Sequence, residues 1–257
     1  MKLILQMKIL GIIPARYASS RFPAKPLVDI YGKTMIQRVY EQANKSSLLS
    51  YLVVATDDKR IYDTVKYFGG NVFMTSENHK NGTERCAEVI DLLEGKFDII
   101  INVQGDEPFF ESDSIRLITE CFKDNDTDIA TLVKKIDKVE DLENPTVVKA
   151  VITTNNKALY FSRLPIPFYI NDKTASKIEK HTFYKHIGIY AYRPSVLKKI
   201  VLLNESNLEK VESLEQLRWL ENGYNITTNI TTHDSNSVDT PEDLAALLKM
   251  FSANYFK

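Results

Sequence analysis

The N-terminal half of the chain alternates short apolar runs with amphipathic stretches, and this alternation constrains the fold more than any other feature. The apolar runs predict strands at Lys8–Ala15, Leu52–Thr56, Asn71–Thr75, Asp98–Gln104 and Asp128–Lys134. The amphipathic stretches predict helices at Thr34–Ser46, from Asp57 or Asp58 to Phe68, at Thr83–Glu94 and at Ser112–Lys123. Because strand and helix in alternation give right-handed crossovers, we expect an α/β fold with an open, mostly parallel sheet.

The second half differs, because strand-like runs follow one another without helices between them. Strands are predicted at Val147–Thr153, Ala158–Phe161, Lys185–Tyr192 and Ile226–Thr232, and helices at Ser195–Leu203, Ser213–Asn222 and Pro241–Tyr255, the last capped by Thr240. We expect a smaller mixed lobe that closes over the sheet rim and can form a dimer contact. The prediction is one domain over residues 1–257, with approximate sub-lobes at 8–134, 135–225 and 226–257, the last returning to the core.

Composition excludes several classes of protein. With 33 basic and 34 acidic side chains the net charge is -1, which argues against broad nucleic-acid binding. No apolar run is long enough for a membrane span. Met1–Gln6 begins like a signal peptide, but Gln6 and Lys8 cut the apolar stretch too short and no small-residue cleavage site follows. Met7 is an alternative start. Cys86 and Cys121 are isolated, which suits a reducing cytoplasm.

Pro14–Leu27 directly follows the first predicted strand. Ligands of open α/β sheets bind at the carboxyl ends of the strands, which places this segment on one rim with Thr75–Arg85 and Gly105–Pro108. It carries cations and hydroxyls in a short span: Arg16, Ser19, Ser20, Arg21 and Lys25. Such donors suit a polyphosphate, although neither the P-loop nor the dinucleotide glycine pattern is present. The plainer interpretation, a basic surface loop with two turn prolines, is made less favourable by its position.

Two acidic motifs are candidates for holding a metal ion. Gln104–Pro108 ends the most apolar strand, so Asp106 would point into the rim crevice, and Gly105 would let a ligand approach the backbone. A carboxylate facing a triphosphate is a common way to hold Mg²⁺. A strand-ending turn is the alternative. Asp239 precedes a strong helix start, and local sequence leaves open whether it faces the crevice or the helix.

A further group lies in the second half. Arg163 could bind a carboxylate in a bidentate manner, and His186, Glu215 and Gln216 could bind sugar hydroxyls. Taken one by one, each of these residues has a simpler structural explanation than ligand binding. Arg163 can be a surface arginine, His186 a core histidine, and Glu215 and Gln216 part of a solvated helix face.

Taken together and in order, these segments resemble the bacterial 3-deoxy-manno-octulosonate (Kdo) cytidylyltransferases, or CMP-Kdo synthetases. The resemblance extends from about Ile9 to Leu248 and includes IIPARYASSRFPAKPL, VVATDD, NGTER, INVQGDEP, ALYFSR, KHIGIYAYR, SLEQLR and VDTPEDL. It implies a Rossmann-like, glycosyltransferase-A-like nucleotidyltransferase fold with a smaller lobe for dimerisation and sugar binding. One departure is Ala24, where many relatives have glycine.

The resemblance also implies a reaction and its residues. CTP and Kdo give CMP-Kdo and pyrophosphate for lipopolysaccharide biosynthesis, with Mg²⁺ as cofactor, in a cytoplasmic homodimer. The implied catalytic residues are Arg16, Lys25, Asp106 and Asp239, the two aspartates being the metal ligands. The implied CTP-binding residues are Ala15, Arg16, Ser19, Ser20, Arg21, Lys25, Thr75, Ser76, Gly82, Thr83 and Arg85, with Thr75–Arg85 on the cytosine side. The implied sugar-binding residues are Gln104, Arg163, His186, Tyr190, Glu215 and Gln216.

Three alternatives remain at this point. The acid could be 8-amino-Kdo or another 2-keto sugar acid, which would need few changes in the second lobe. A non-catalytic nucleotide sensor of the same fold would have no need for both Asp106 and Asp239. An NAD-dependent α/β enzyme is disfavoured by the missing glycine fingerprint.

Overall fold

The computed structural model describes residues 7–18, 21–93, 95–170 and 177–251. These residues form two compact units: a first unit of residues 7–115 and 235–251, and a second unit of residues 116–234. The single domain with three sub-lobes stays a prediction. Among the described helices, none has the length and apolar character that a membrane crossing requires.

The strands and helices follow the chain in a regular order. The strands are β1 (Ile9–Ala15), β2 (Asp29–Ile30), β3 (Lys33–Thr34), β4 (Tyr51–Thr56), β5 (Val72–Met74), β6 (Ile99–Asn102), β7 (Ile129–Lys135), β8 (Lys149–Ile152), β9 (Ala158–Ser162), β10 (Tyr184–Tyr192) and β11 (Ile226–Thr231). The helices are α1 (Met35–Asn44), α2 (Lys59–Tyr67), α3 (Gly82–Leu92), α4 (Asp113–Glu120), α5 (Val139–Glu143), α6 (Lys177–Lys180), α7 (Pro194–Ile200), α8 (Asn207–Glu212), α9 (Gln216–Glu221) and α10 (Pro241–Met250).

The first unit is built on four parallel strands in the order β6-β1-β4-β5. Strand β1 lies between β4 and β6, so both of its edges are hydrogen-bonded. Ile9, Leu10, Ile12 and Ile13 point to opposite faces of the sheet and are fully buried, so both faces of β1 are covered. This burial explains why β1 is a continuous apolar run and not an alternating one. The prediction of an α/β fold with an open, mostly parallel sheet is confirmed.

The helices of the first unit begin at polar caps that the sequence indicates. The side chain of Asp58 accepts from the backbone N–H of Arg60, so Asp58 and not Asp57 caps α2. Thr240 caps α10 in a reciprocal capping box with Asp243, as predicted. These caps fix where each chain segment leaves the sheet edge and enters a helix.

The second unit holds a mixed sheet, as the second half of the sequence predicts. Strand β11 runs parallel to β7, whereas β7, β10, β8 and β9 are joined by antiparallel pairings.

The sequence did not predict the β2–β3 hairpin of the first unit or helices α5, α6 and α8 of the second. These elements have two to six residues each, too few to show a hydrophobic period.

The last helix ends earlier than its apolar pattern predicts, at Met250 and not at Tyr255. Phe251 leaves the helical conformation, and its ring stacks on Phe109 with 4.1 Å between centroids. The Tyr31 hydroxyl lies 2.6 Å from the carbonyl oxygens of both Leu248 and Phe251. The helix therefore ends where the chain makes contacts with Tyr31 and Phe109, two residues remote in the sequence.

Candidate active site

A cleft of about 330 Å³ opens in the first unit at the carboxyl ends of β1 and β6. It is lined by Pro14, Ala15, Arg16, Arg21, Lys25, Pro26, His79, Lys80, Asn81, Gly82, Arg85, Gln104, Gly105, Asp106 and Asp239. Each of the three segments that the strand-end rule places on one rim contributes to this lining. Cations and carboxylates thus share one concave surface.

Lys25 lies at the centre of the charged part of the cleft. Its ammonium donates to the Asp106 carboxylate and to the Val238 carbonyl oxygen, each at 2.8 Å, and lies 3.4 Å from the Asp239 carboxylate. The Lys25 side chain is only 14% exposed. Three oxygen atoms therefore converge on one position, which a cation occupies.

The backbone around each of these residues explains the convergence. Ala24 adopts a left-handed conformation with φ of 60° and donates to the Tyr17 carbonyl oxygen, which turns the chain into the 3₁₀ segment Lys25–Leu27. The Val238 N–H donates to the carbonyl oxygen of Asp106 at 2.9 Å and fixes those two segments in register. Tertiary backbone contacts, which local sequence does not encode, place Lys25 beside Asp106.

The sequence left open whether Asp239 faces the cleft or the helix, and in the structure its backbone and its side chain make separate contacts with each. Its backbone N–H donates to the Asp243 carboxylate at the start of α10, while its own carboxylate contacts Lys25 and Arg21 in the cleft. Asp239 thus belongs to the helix through its backbone and to the cleft through its side chain.

These oxygens are a suitable donor set for a divalent cation. Mg²⁺ prefers one or two carboxylates completed by substrate phosphate and water oxygens, and Asp106 and Asp239 already converge on one point. Among the described residues, no cluster of three or more His, Cys, Asp or Glu side chains could hold a metal alone. The two aspartates and the Val238 carbonyl oxygen fit a cation whose remaining ligands come from a bound substrate.

The predicted phosphate-binding cations differ in their surroundings. Arg16 is exposed on the cleft wall, and Arg21 forms an ion pair of 3.1 Å with Asp239 while remaining 64% exposed. Both guanidinium groups are accessible to an anion, whereas the Lys25 ammonium is held by carboxylates. Ser19 and Ser20, predicted as further donors, lie outside the described residues.

The Thr75–Arg85 segment reaches the cleft with only some of the predicted residues. Gly82 and Arg85 line it, whereas Thr75, Ser76 and Thr83 do not. Thr75 and Thr83 are buried, and the Thr75 hydroxyl accepts from the Arg85 guanidinium, which also contacts Asp57 at 2.6 Å.

Three further residues of the Thr75–Arg85 segment line the cleft, although they are not among the individually predicted CTP-binding residues: His79, Lys80 and Asn81. Asn81 also accepts from the Glu84 N–H and caps α3. The NGTER run of the resemblance begins at Asn81, and this is the sequence signal that pointed to it. His79 and Lys80 carry no motif signal apart from their place in the predicted rim segment.

Gly105 has a packing role in addition to the one its sequence suggests. A Cβ atom there would lie 2.6 Å from the carbonyl oxygen of Pro14, and a Cβ atom on Gly82 would lie 2.9 Å from the Pro14 ring. Glycine at these positions allows the chain itself to approach Pro14 closely. The expected approach of a ligand to Gly105 stays a prediction.

Glu107 is buried beside the acidic pair and does not line the cleft. Its carboxyl accepts from the Ser235 hydroxyl at 2.5 Å. Burial raises the pKa of Glu107 to about 7, and the negative charge of Asp106 acts in the same direction.

Of the six predicted sugar-binding residues, only Gln104 belongs to this cleft of the first unit. The other five lie in the second unit. There Arg163 donates from Nε to the carbonyl oxygen of Glu212 at 2.7 Å, and from its two terminal nitrogens to Pro145 and Ser213, each at 3.2 Å. Since a guanidinium has five N–H donors, Arg163 retains donors for an anion.

His186 and Tyr190 lie together on β10, with 5.2 Å between ring centroids. Burial lowers the pKa of His186 to about 4 and raises the pKa of Tyr190, to which the charge of Glu215 also contributes. The Tyr190 hydroxyl and the Gln216 amide nitrogen have no hydrogen-bond partner among the described residues. Buried polar groups normally have one, so this cluster is chemically incomplete without water or a ligand.

Comparisons with known proteins agree with the motif resemblance. A family model described as cytidylyltransferase matches residues 10–230. The 3-deoxy-manno-octulosonate cytidylyltransferase of Parabacteroides distasonis is 53% identical over 96% of this chain and 99% of its own, and that of Bacteroides thetaiotaomicron is 54% identical over 93% and 96%. A solved structure of CMP:2-keto-3-deoxy-manno-octonic acid synthetase complexed with CTP is 43% identical, with a TM-score of 0.87, over 95% of this chain and 98% of that one.

Proposed function

Because this chain belongs to the cytidylyltransferase family, we propose that it transfers the cytidylyl group of CTP to 3-deoxy-D-manno-octulosonate. The products are CMP-Kdo and pyrophosphate, for lipopolysaccharide biosynthesis. The observation that carries this proposal is the identity of 53% over nearly the full length of a relative named for this reaction. The charged cleft at the strand ends supplies the chemistry that such a reaction needs.

The reaction forms one phosphoester bond and breaks one phosphoanhydride bond. The anomeric hydroxyl of Kdo attacks the α-phosphorus of CTP, pyrophosphate leaves, and a proton is released. Arg16, Arg21 and Lys25 neutralise the triphosphate and the departing pyrophosphate. Positioning and charge neutralisation are the main means by which enzymes accelerate transfers of this type.

Mg²⁺ is the proposed cofactor, with Asp106 and Asp239 as its protein ligands. The cation supplies charge neutralisation on the triphosphate and Lewis-acid polarisation when bound. The support is the convergence of both carboxylates on one point, 2.8 and 3.4 Å from the Lys25 nitrogen. The protein's contribution is to hold both carboxylates there before substrate arrives.

The acid-binding side is assigned to Gln104, Arg163, His186, Tyr190, Glu215 and Gln216. Arg163 would offset the carboxylate of the sugar acid with its remaining N–H donors. The Tyr190 hydroxyl and the Gln216 amide nitrogen would bind acceptor or hydroxyl groups of the sugar.

A cytoplasmic homodimer is the proposed working form. Cys86 and Cys121 are buried and form no disulfide, which is compatible with a reducing compartment. In the second unit, Leu164, Phe168 and Ile170 are 68%, 85% and 80% exposed, a short apolar segment that a second copy would cover. Sedimentation equilibrium tests the dimer directly.

Pyrophosphate release with Mg²⁺ and CTP tests the function, in parallel reactions with Kdo, 8-amino-Kdo and N-acetylneuraminate. Release with Kdo that EDTA abolishes is the expected result. A preference for 8-amino-Kdo would revise only the identity of the sugar acid. The relatives are named for Kdo, so this preference is not expected. Measurable CTP binding without release on any acid would contradict the proposal and favour a nucleotide sensor.

A further inference from the structure

The Lys25 ammonium occupies the position on which the two cleft carboxylates converge. It lies 2.8 Å from the Asp106 carboxylate, 3.4 Å from the Asp239 carboxylate and 2.8 Å from the Val238 carbonyl oxygen. An ammonium group has three donors and no acceptor, so these three oxygens take its full hydrogen-bonding capacity. The lysine that would bind phosphate is therefore fully engaged by protein oxygens in this structure.

The surroundings make this arrangement more than a surface ion pair. The Lys25 side chain is 14% exposed and that of Asp106 is 27% exposed, so solvent screens the pair only in part. Asp106 and Asp239 belong to segments joined by the Val238 N–H, which donates to the Asp106 carbonyl oxygen. Without a cation between them, two carboxylates held in this way would repel each other.

We propose that Lys25 acts as an internal counter-ion that excludes a divalent cation from Asp106 and Asp239 until a nucleotide triphosphate draws the ammonium away. The triphosphate offers the ammonium new anionic partners and at the same time offers the cation its missing oxygen ligands. Metal and nucleotide thus enter the cleft as a coupled pair. This inference rests on the proposed function for the identity of the ligands and concerns the order in which they bind.

The test is a titration with Mn²⁺, followed through the electron paramagnetic resonance of the free ion, without CTP or sugar acid. The unmodified protein is expected to bind Mn²⁺ weakly. Lys25→Met removes the ammonium and keeps the length of the side chain, so it should bind one Mn²⁺ about 10-fold more tightly or better. Lys25→Arg keeps a cation and should behave as the unmodified protein does.

Lys33→Met is the matched control, because Lys33 also contacts a carboxylate of the first unit, that of Glu41. It should not create a manganese site. The double variant Lys25→Met with Asp106→Asn should lose the gain. Far-UV circular dichroism verifies that each variant is folded, and Lys25→Gln replaces Lys25→Met if the latter is unfolded without metal.

Thermal unfolding provides the second measurement. In the unmodified protein, Mg²⁺ alone should leave the melting temperature unchanged, and Mg²⁺ with CTP should raise it above the value with CTP and EDTA. In Lys25→Met, Mg²⁺ alone should raise it. Equal Mn²⁺ affinity in the unmodified protein and a folded Lys25→Met or Lys25→Gln variant would overturn the proposal, as would an equal gain in Lys33→Met. Because the titration contains no substrate, these results are independent of whether pyrophosphate is released.

Discussion

Gly105 and Pro14 approach each other so closely that a Cβ atom on Gly105 would lie 2.6 Å from the Pro14 carbonyl oxygen. This carbonyl belongs to the end of β1, so the obstacle is backbone and cannot rotate away. The contact joins the segment that carries Asp106 to the segment that leads to Arg16.

Gly105→Ala should therefore destabilise the fold by about 1–3 kcal/mol, as overpacking in a tight site does. It should also raise the KM for CTP, because the cleft wall must shift. Urea unfolding and steady-state kinetics measure the two effects. Gly95→Ala is the control, since its Cβ would meet only the Phe97 side chain, and its effect should stay within about 0.5 kcal/mol. Equal effects of the two substitutions would contradict the backbone argument.

Asp106→Asn and Asp239→Asn should each lower kcat by about 100-fold or more while the protein stays folded, since each removes a charge from the centre of the cleft. Asp63→Asn is a suitable control, because Asp63 pairs with Lys59 on the exposed face of α2. Initial rates of pyrophosphate release give the comparison. A near-normal kcat would remove the substituted residue from the metal-binding role.

Trp219 is the only tryptophan of the chain, and its ring lies edge-on to that of Tyr190 with 5.1 Å between centroids. Titration with Kdo should change its fluorescence in a saturable manner. Tyr190→Phe should raise the KM for Kdo about 5-fold, the equivalent of one hydrogen bond, and leave the KM for CTP within about 2-fold. An equal rise in both KM values would show that Tyr190 does not act specifically on the acid.

Protonation of His186 should lower the free energy of unfolding as the solution becomes mildly acidic. Its pKa is about 4 in the folded protein against 6.5 for an ordinary histidine, so the unfolded chain binds more protons between these values. Stability should therefore be lost as pH falls from 6.5 to 4, by at most about 3 kcal/mol.

His186→Gln removes the titrating group and keeps a polar side chain near the Thr131 hydroxyl, which lies 2.9 Å from the histidine Nε2. Urea unfolding at a series of pH values should show a shallower decline in this variant. Identical slopes in both proteins over this window would rule out His186 as the source.

Ala24→Gly should stabilise the protein, because Ala24 adopts a φ of 60°, which costs an L-residue about 1 kcal/mol. The added freedom of glycine in the unfolded chain offsets part of this, so the expected gain is about 0.5 kcal/mol. Ala245→Gly is the control at an exposed position of α10, where glycine should cost about 0.5–1 kcal/mol. A loss of the same size at both positions would show that the left-handed conformation carries no strain in solution.

Most of the fold could be predicted from local patterns. The runs that became β1, β4 and β6 are apolar because parallel strands are buried on both faces, and this property is visible in the sequence. The β2–β3 hairpin was not predicted, since strands of two residues have no period. The predicted end of α10 at Tyr255 was also wrong. The residues that contact Phe251 just beyond the helix, Tyr31 and Phe109, are far from it in the chain, and a local pattern does not show such contacts.

For the candidate site too, some features could be predicted from the sequence and others depend on tertiary contacts. The sequence by itself determined which residue types reach the carboxyl ends of the strands, because the order of strands and helices fixes the rim to which Arg16, Lys25 and Asp106 belong. Only the tertiary structure decided that the Asp239 carboxylate faces the cleft, that the hydroxyl of Thr75 is used by Arg85, and that Lys25 bridges two carboxylates. Those outcomes depend on distances between segments remote in sequence, which local propensity and charge pattern do not specify.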